Sequence, residues 1–281
     1  MASLPRISIV TPSFNQAQYL EEAMLSVLSQ DYPDVEYIVM DGGSTDGSVD
    51  IIRRHAGRLA HWESRIDEGQ ADAIARGFDL ATGTIIGWLN SDDVLLPGAL
   101  ERAGAWFAAH PRCDCVVGAS VIIDAAGNPC RDARGHVVFN PGITMGFRHL
   151  LLLGCWGYNQ PATLWRRQAF VDTGGFDRSL RFAFDYDMYL RLAGRGPLCR
   201  LPEFQACFRV HPESKTSTLD RVRVSETRAV QRRVGLSDKP SLADGLLKAW
   251  YGLKARATYR WMKVQLLTGY RRLPFGYTFS G

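Results

Sequence analysis

The first hundred residues alternate between two hydrophobic periods, and that alternation restricts the fold more than any other feature of the chain. Residues 7–11 read as a strand, 19–28 as an amphipathic helix with apolar positions at 20, 24, 27 and 28, and 35–40 as a second strand. Turn-rich residues 41–47 lead into a helix near 48–55. A further helix is predicted over 70–81 and a strand over 84–89, and Pro97 suits the first turn of the next helix. Strands separated by helices at this spacing imply an α/β fold, a mostly parallel central sheet with helical crossovers. Ligands of such sheets bind beyond the carboxyl ends of the strands. Polar clusters fall at those ends, at residues 11–16, 41–47 and 90–93.

After Pro111 the pattern loosens into shorter strands at 115–118 and 121–124, joined through a hairpin-like Ala126-Gly127-Asn128. Helices are expected at 142–152 and 185–193, with 161–165 extended between them. No linker rich in Ser, Pro or Gly precedes about residue 235, so 1–220 reads as one catalytic-sized domain and 221–281 as a basic helical extension. With 46% apolar and 22% charged residues the composition is globular, which excludes disorder, collagen-like repeats and low-complexity arrays. The longest apolar candidate, 150–158, is far short of the roughly 20 residues that span a bilayer. The N-terminus lacks the apolar core of a secretory signal, and the expectation is a cytoplasmic protein held peripherally at the inner face of a membrane. The six cysteines are scattered apart from Cys113 and Cys115, and are expected to be reduced, structural thiols.

Adjacent Asp92 and Asp93 repel one another unless something positive sits between or beside them. A hard divalent cation that also holds phosphates is one answer, and an N-terminal cap for the following helix is the other. Asp41, an acid at a strand end before two glycines, is open to the same two readings.

All these clusters share one sheet edge with Asp67-Glu68-Gly69-Gln70-Ala71-Asp72-Ala73. Together with Val10-Thr11-Pro12-Ser13-Phe14-Asn15, Asp41-Gly42-Gly43-Ser44-Thr45-Asp46-Gly47 and Trp88-Leu89-Asn90-Ser91-Asp92-Asp93, that stretch resembles the glycosyltransferase family 2 group, inverting enzymes of the GT-A (Rossmann-like) fold. The resemblance continues through Asn159-Gln160-Pro161-Ala162, the segment from Phe184 to Leu192, and His211-Pro212-Glu213-Ser214-Lys215-Thr216, and so covers residues 6–218. It implies transfer of a sugar from a nucleotide-diphosphate donor, UDP-sugar ahead of dTDP- and GDP-sugars, to a hydroxyl of a glycan or lipid-linked acceptor. Thr11, Pro12, Phe14, Asn15, Asp41, Asp72, Asn90 and Asp92 would bind the donor, Pro12 and Phe14 flanking the base and Asp41 accepting a hydrogen bond from it. Asp92, Asp93 and His211 would hold Mn²⁺ or Mg²⁺ on the diphosphate, although Asn90 stands where many members carry the first acid.

Asp185 matches the family's base, which takes the proton from the attacking hydroxyl so that displacement at C1 inverts the anomeric configuration. Phe184, in place of the usual acid, is expected to raise the local apolarity and with it that base's pKa. Asp187 lies roughly 200° around the helix and is assigned a structural role. Trp156, Gln160 and Lys215 are candidates for contacts to acceptor or phosphate.

The formal charge of +4 conceals an asymmetry. Residues 1–200 carry 18 bases and 23 acids, whereas 201–281 carry 15 and 6, and no acid follows Asp244. Residues 246–267 read as a helix with an apolar stripe at 246, 250, 253, 257, 261 and 264 and neighbouring bases. Such a helix either contacts an anionic membrane surface or docks its stripe on the body. Nucleic-acid binding is not expected, because no recognised module accompanies the charge. Two other functions compete with sugar transfer. A nucleotidyltransferase on a similar sheet is disfavoured because residues 11–16 contain neither glycine nor base. A non-catalytic sugar- or membrane-binding relative is disfavoured by the intact Asp41, Asp92, Asp93 and Asp185.

Overall fold

Every residue of β1 (Ile7–Ser13) is buried, and so is all of β2 (Val35–Asp41) except its first residue. Continuous burial marks central strands covered on both faces. The computed structural model, which describes residues 4–154, 158–237, 241–268 and 272, provides the covering layers. In chain order β1 and β2 are separated by α1 (Ala17–Leu28). Next come α2 (Ser48–His55), β3 (His61–Ser64), α3 (Gln70–Leu80), β4 (Ile85–Trp88), β5 (Val94–Leu95) and α4 (Ala99–Ala109). The second half has β6 (Cys115–Ile123), β7 (Phe139–Asn140), α5 (Phe147–Leu153), β8 (Thr163–Arg166), α6 (Arg167–Asp172), α7 (Phe184–Arg195), β9 (Cys199–Arg209), α8 (Lys215–Thr218), α9 (Asp220–Arg233) and α10 (Leu242–Leu267).

Among the described residues nine strands form one sheet in the order β3-β2-β1-β4-β8-β6-β9-β5, with β7 beside β6. The first four run parallel, β8 reverses direction, β6 and β9 are parallel to each other, and β5 closes the edge antiparallel to β9. One face packs Val10, Met40 and Trp88 against Ile74 and Phe78 of α3 and Tyr186 and Tyr189 of α7. The other packs Ile9 and Val39 against Leu20 and Met24 of α1 and Leu100 and Phe107 of α4. A Cβ on Gly77 would lie 2.5 Å from Val10, so the close seating of α3 on β1 requires glycine there.

The strands expected at 115–118 and 121–124 are one continuous β6, whose pairing with β9 shifts register between Val117 and Ser120. The shift lies opposite Pro202 and Glu203, which bulge from β9 and hid that strand from its apolar pattern. The helix expected from 142 begins only at Phe147.

The expected boundary at 220 falls at the first residue of α9, and α9 packs directly on the body. Glu226 accepts the backbone N–H groups of Arg181, Phe182 and Ala183 ahead of α7, and Val230 is buried. A capping box of Ser241 and Asp244 starts α10, which docks through Tyr251 stacked on His149 (4.2 Å), Tyr259 stacked on Phe139 (4.6 Å), and buried Met262 and Leu266. Of the two readings of the 246, 250, 253, 257, 261 and 264 stripe, docking on the body is not what the helix does with it. The helix uses the opposite face and leaves that stripe exposed.

Candidate active site

The carboxyl ends of β1 and β2 are tied into one rim. Asn15, in the left-handed region at φ 49°, accepts the Thr45 N–H and its own N–H donates to Ser44 Oγ. Thr11 is fully buried and shares a 2.9 Å hydrogen bond with Tyr37, and Pro12 is buried as well. Only Phe14 of the four expected donor residues here presents a large apolar surface, at 61% exposure. Beside it in sequence, Ser13 Oγ is buried without a protein partner.

Asp41 does not offer a free carboxylate. It accepts from the Gly43 and Ser44 N–H groups, from Ser44 Oγ at 2.6 Å and from Ser64 Oγ at 2.7 Å, and it is fully buried. Its geometry shapes the 42–46 loop instead of presenting an acceptor to a base. Asp72 is similarly engaged, by Arg76 at 3.1 Å and Arg178 at 2.9 Å. Asp67 packs against the glycine turn, close enough that a Cβ on Gly42 would lie 2.8 Å from its oxygen, and the neighbouring Ile66 is 90% exposed. Sequence reasoning passed over Ile66 because a lone apolar residue in a polar loop carries no periodic signal.

Asn90 is the centre of an amide network. Its Oδ1 accepts from Gln70 (2.7 Å) and Trp88 (3.2 Å), and its Nδ2 donates to Gln160 (2.8 Å) and Asp93 (3.2 Å). A carboxylate at 90 could make neither donated bond, which accounts for the amide in this chain. Gln160 returns a bond to the Trp88 carbonyl at 2.9 Å, so it is fixed in this network, and Trp156 lies outside the described residues.

Asp92 and Asp93 have separate partners. Asp93 is 1% exposed and accepts the Arg209 N–H at 2.9 Å. Burial, and then the neighbouring Asp92, push its carboxyl well above the usual range. Its two oxygens are taken by the Arg209 N–H and Asn90 Nδ2, partners that compete with the expected place beside Asp92 on a metal. Arg209, itself 2% exposed, donates to the carbonyls of Asp92, Asp124 and Ala125 and to Glu22 at 2.6 Å. Two residues further on, His211 Nε2 lies 3.0 Å from Asp92 Oδ2. That is the distance of a direct hydrogen bond, and two ligands at right angles on one octahedral ion, each ~2.1 Å away, would lie about as far apart. Among the described residues no third His, Cys, Asp or Glu joins them, so an ion held here would need its other ligands from water or phosphate oxygens.

Asp185 opens α7. Burial raises its carboxyl to about 6, against hydrogen bonds from Tyr158 and from the Tyr186 N–H (2.6 Å) and the attraction of Lys215, all of which hold it down. Lys215 Nζ lies 6.0 Å from the centroid of the Phe184 ring and donates to the Arg181 carbonyl. The chain from His211 to Lys215 therefore joins the Asp92 pair to the surroundings of Asp185. Phe184 is 3% exposed, packed among Trp88 and Phe176. Asp187 is buried and paired with Arg191 and Arg233, the structural role expected of it.

The model of the family described as Glycosyl transferase family 2 matches residues 8–174, more than half of the chain. The chain belongs to glycosyl transferase family 2. A family 2 relative, the chondroitin synthase of Escherichia coli, is 30% identical over 196 residues, 69% of this chain and 27% of the synthase. The chain spans less than half the length of the curated relatives it matches. Among solved structures, S. aureus TarS 1-349 in complex with UDP-GlcNAc superposes with a TM-score of 0.65 at 16% identity, over 88% of this chain and 71% of that one. The mannosyltransferase PcManGT from Pyrobaculum calidifontis, in complex with GDP-Man and Mn²⁺, gives 0.60 at 20% identity, over 92% and 74%. The family 2 chain thus has the GT-A fold, a curled mixed sheet between helical layers.

Proposed function

We propose that this family 2 chain transfers a sugar from a nucleotide-diphosphate donor, UDP-linked by preference, to a hydroxyl of a glycan or lipid-linked acceptor, with inversion at the anomeric carbon. The observation that carries the proposal is the segment from His211 to Lys215, which links a cation-sized Asp92–His211 pair to a carboxylate tuned near neutrality. Phe14 and Ile66 leave apolar surface for a base, and Ser13 Oγ is available to a ribose or base group. Asp92 and His211 would hold Mn²⁺ or Mg²⁺. That ion supplies neutralisation of charge on the departing diphosphate. Asp185 is the proposed base, accepting the acceptor proton as the hydroxyl attacks from the face opposite the diphosphate. UDP-, dTDP- and GDP-sugars are supplied with Mn²⁺ and candidate glycan acceptors, and the anomeric proton of the product is read by NMR. Inverted product is expected; retained configuration, or no nucleoside diphosphate released from any donor, overturns the reading.

A further inference from the structure

α10 meets the body with one face and solvent with the other. On the outward side Leu246 (65% exposed), Trp250 (55%), Leu253 (61%), Trp261 (54%) and Val264 (54%) follow helical spacing. At 100° per residue they occupy a sector of about 80° running along most of the helix. Single exposed apolar side chains are ordinary, but a continuous strip marks an interaction surface.

Its borders identify the occupant. Lys254 lies on one flank, and Arg256 and Arg260 on the other, all three exposed. No acid follows Asp244, which is itself held by Ser241 and Arg148. A second copy applied strip to strip would set these bases against their own images. An anionic lipid surface meets both requirements at once: the strip enters the boundary between headgroups and acyl chains, the flexible basic stems lie along it, and their heads reach lipid phosphates. Trp250, with Lys254 Nζ 5.7 Å from its ring, and Trp261 place amphipathic rings at that depth. No helix among the described residues is long and apolar enough to cross a membrane, so the contact lies in the plane of the surface.

We propose that α10 is an interfacial anchor that holds this chain on an anionic bilayer through the face left free by docking. The helix packs on α5, and α5 packs on α7, which begins with Phe184 and Asp185, so the anchor lies one helix away from the candidate site. The anchor stands whether or not the sugar-transfer reading does.

The test is flotation of the full chain with vesicles of phosphatidylcholine alone and of phosphatidylcholine mixed with phosphatidylglycerol. Binding is expected only to the mixed vesicles, weakening as salt rises. Each base near such a surface is worth roughly fivefold, so K254Q, R256Q and R260Q together should lower partitioning by about a hundredfold. Trp250→Ser with Leu253→Ser should release the chain as well, with its melting temperature unchanged because both side chains face solvent. Equal binding to both vesicle types, or no binding to either, overturns the proposal. So does a wild-type dimer that the double serine variant splits while vesicle binding persists, since the strip would then join two copies.

Discussion

A carboxylate that is to take a proton from a sugar hydroxyl has to be ionised near neutrality and still basic enough to accept. Asp185, raised by burial to about 6, meets that condition. Since the ionised form is the active one, kcat/KM is expected to rise with pH through about 6 and then level off. Tyr158 holds the carboxyl down by its hydrogen bond, so Tyr158→Phe should displace that limb to higher pH, and a profile that stays in place would mean that the two side chains do not communicate. Asp185→Asn should cost about 10²–10⁴ in turnover while nucleotide affinity, measured by calorimetry, stays near wild type. Equal loss of both would make Asp185 structural. Sequence motifs single out this residue as the candidate base but not its partner Tyr158, which comes from another segment and matches no pattern. They located Phe184 too, yet its ring is locked among Trp88 and Phe176, so Phe184→Glu would bury a charge in an aromatic cluster and report on folding before acidity.

At the scale of the element, β9 does most to assemble the site. It was illegible in the sequence because Pro202, Glu203 and Gln205 interrupt its alternation at the bulge, whereas β1, β2 and β4, short and predominantly apolar between turn-rich segments, were legible to within a residue or two. Its last residue, Arg209, holds Asp92, Glu22 and the 124–125 turn together and delivers His211 to Asp92. Arg209→Met should destabilise the fold by about 1–3 kcal/mol, because the carbonyls of Asp92, Asp124 and Ala125 lose their donor while the ion-pair partner Glu22 is more than half exposed. Arg209→Lys keeps the charge but not the planar fork, and should weaken Mn²⁺ binding in calorimetry even where the protein stays folded. Undiminished Mn²⁺ binding in that variant would separate Arg209 from the cation pair.

Across the whole molecule, the catalytic-sized body and the basic tail are coupled by the stack of His149 on Tyr251. Burial, and then Lys254, lower the His149 imidazole from 6.5 to about 4, and its Nε2 is buried without a partner. Between those values the unfolded chain takes up a proton that the folded one refuses, so stability falls as pH drops from about 6.5 towards 4, by at most ~1.4 kcal/mol per pH unit from this group. The division of charge along the chain was plain from the sequence, but periodicity alone could not show which helical face would dock, because Tyr251 and Tyr259 pack through flat ring faces outside the apolar stripe. His149→Phe preserves the stack and removes the titration. Urea unfolding across that pH range should therefore show a shallower loss of stability for the variant than for the wild type, with similar values at neutral pH. Parallel curves for the two proteins would mean that the imidazole is already free to protonate in the folded state, and that the joint between tail and body does not depend on keeping it neutral.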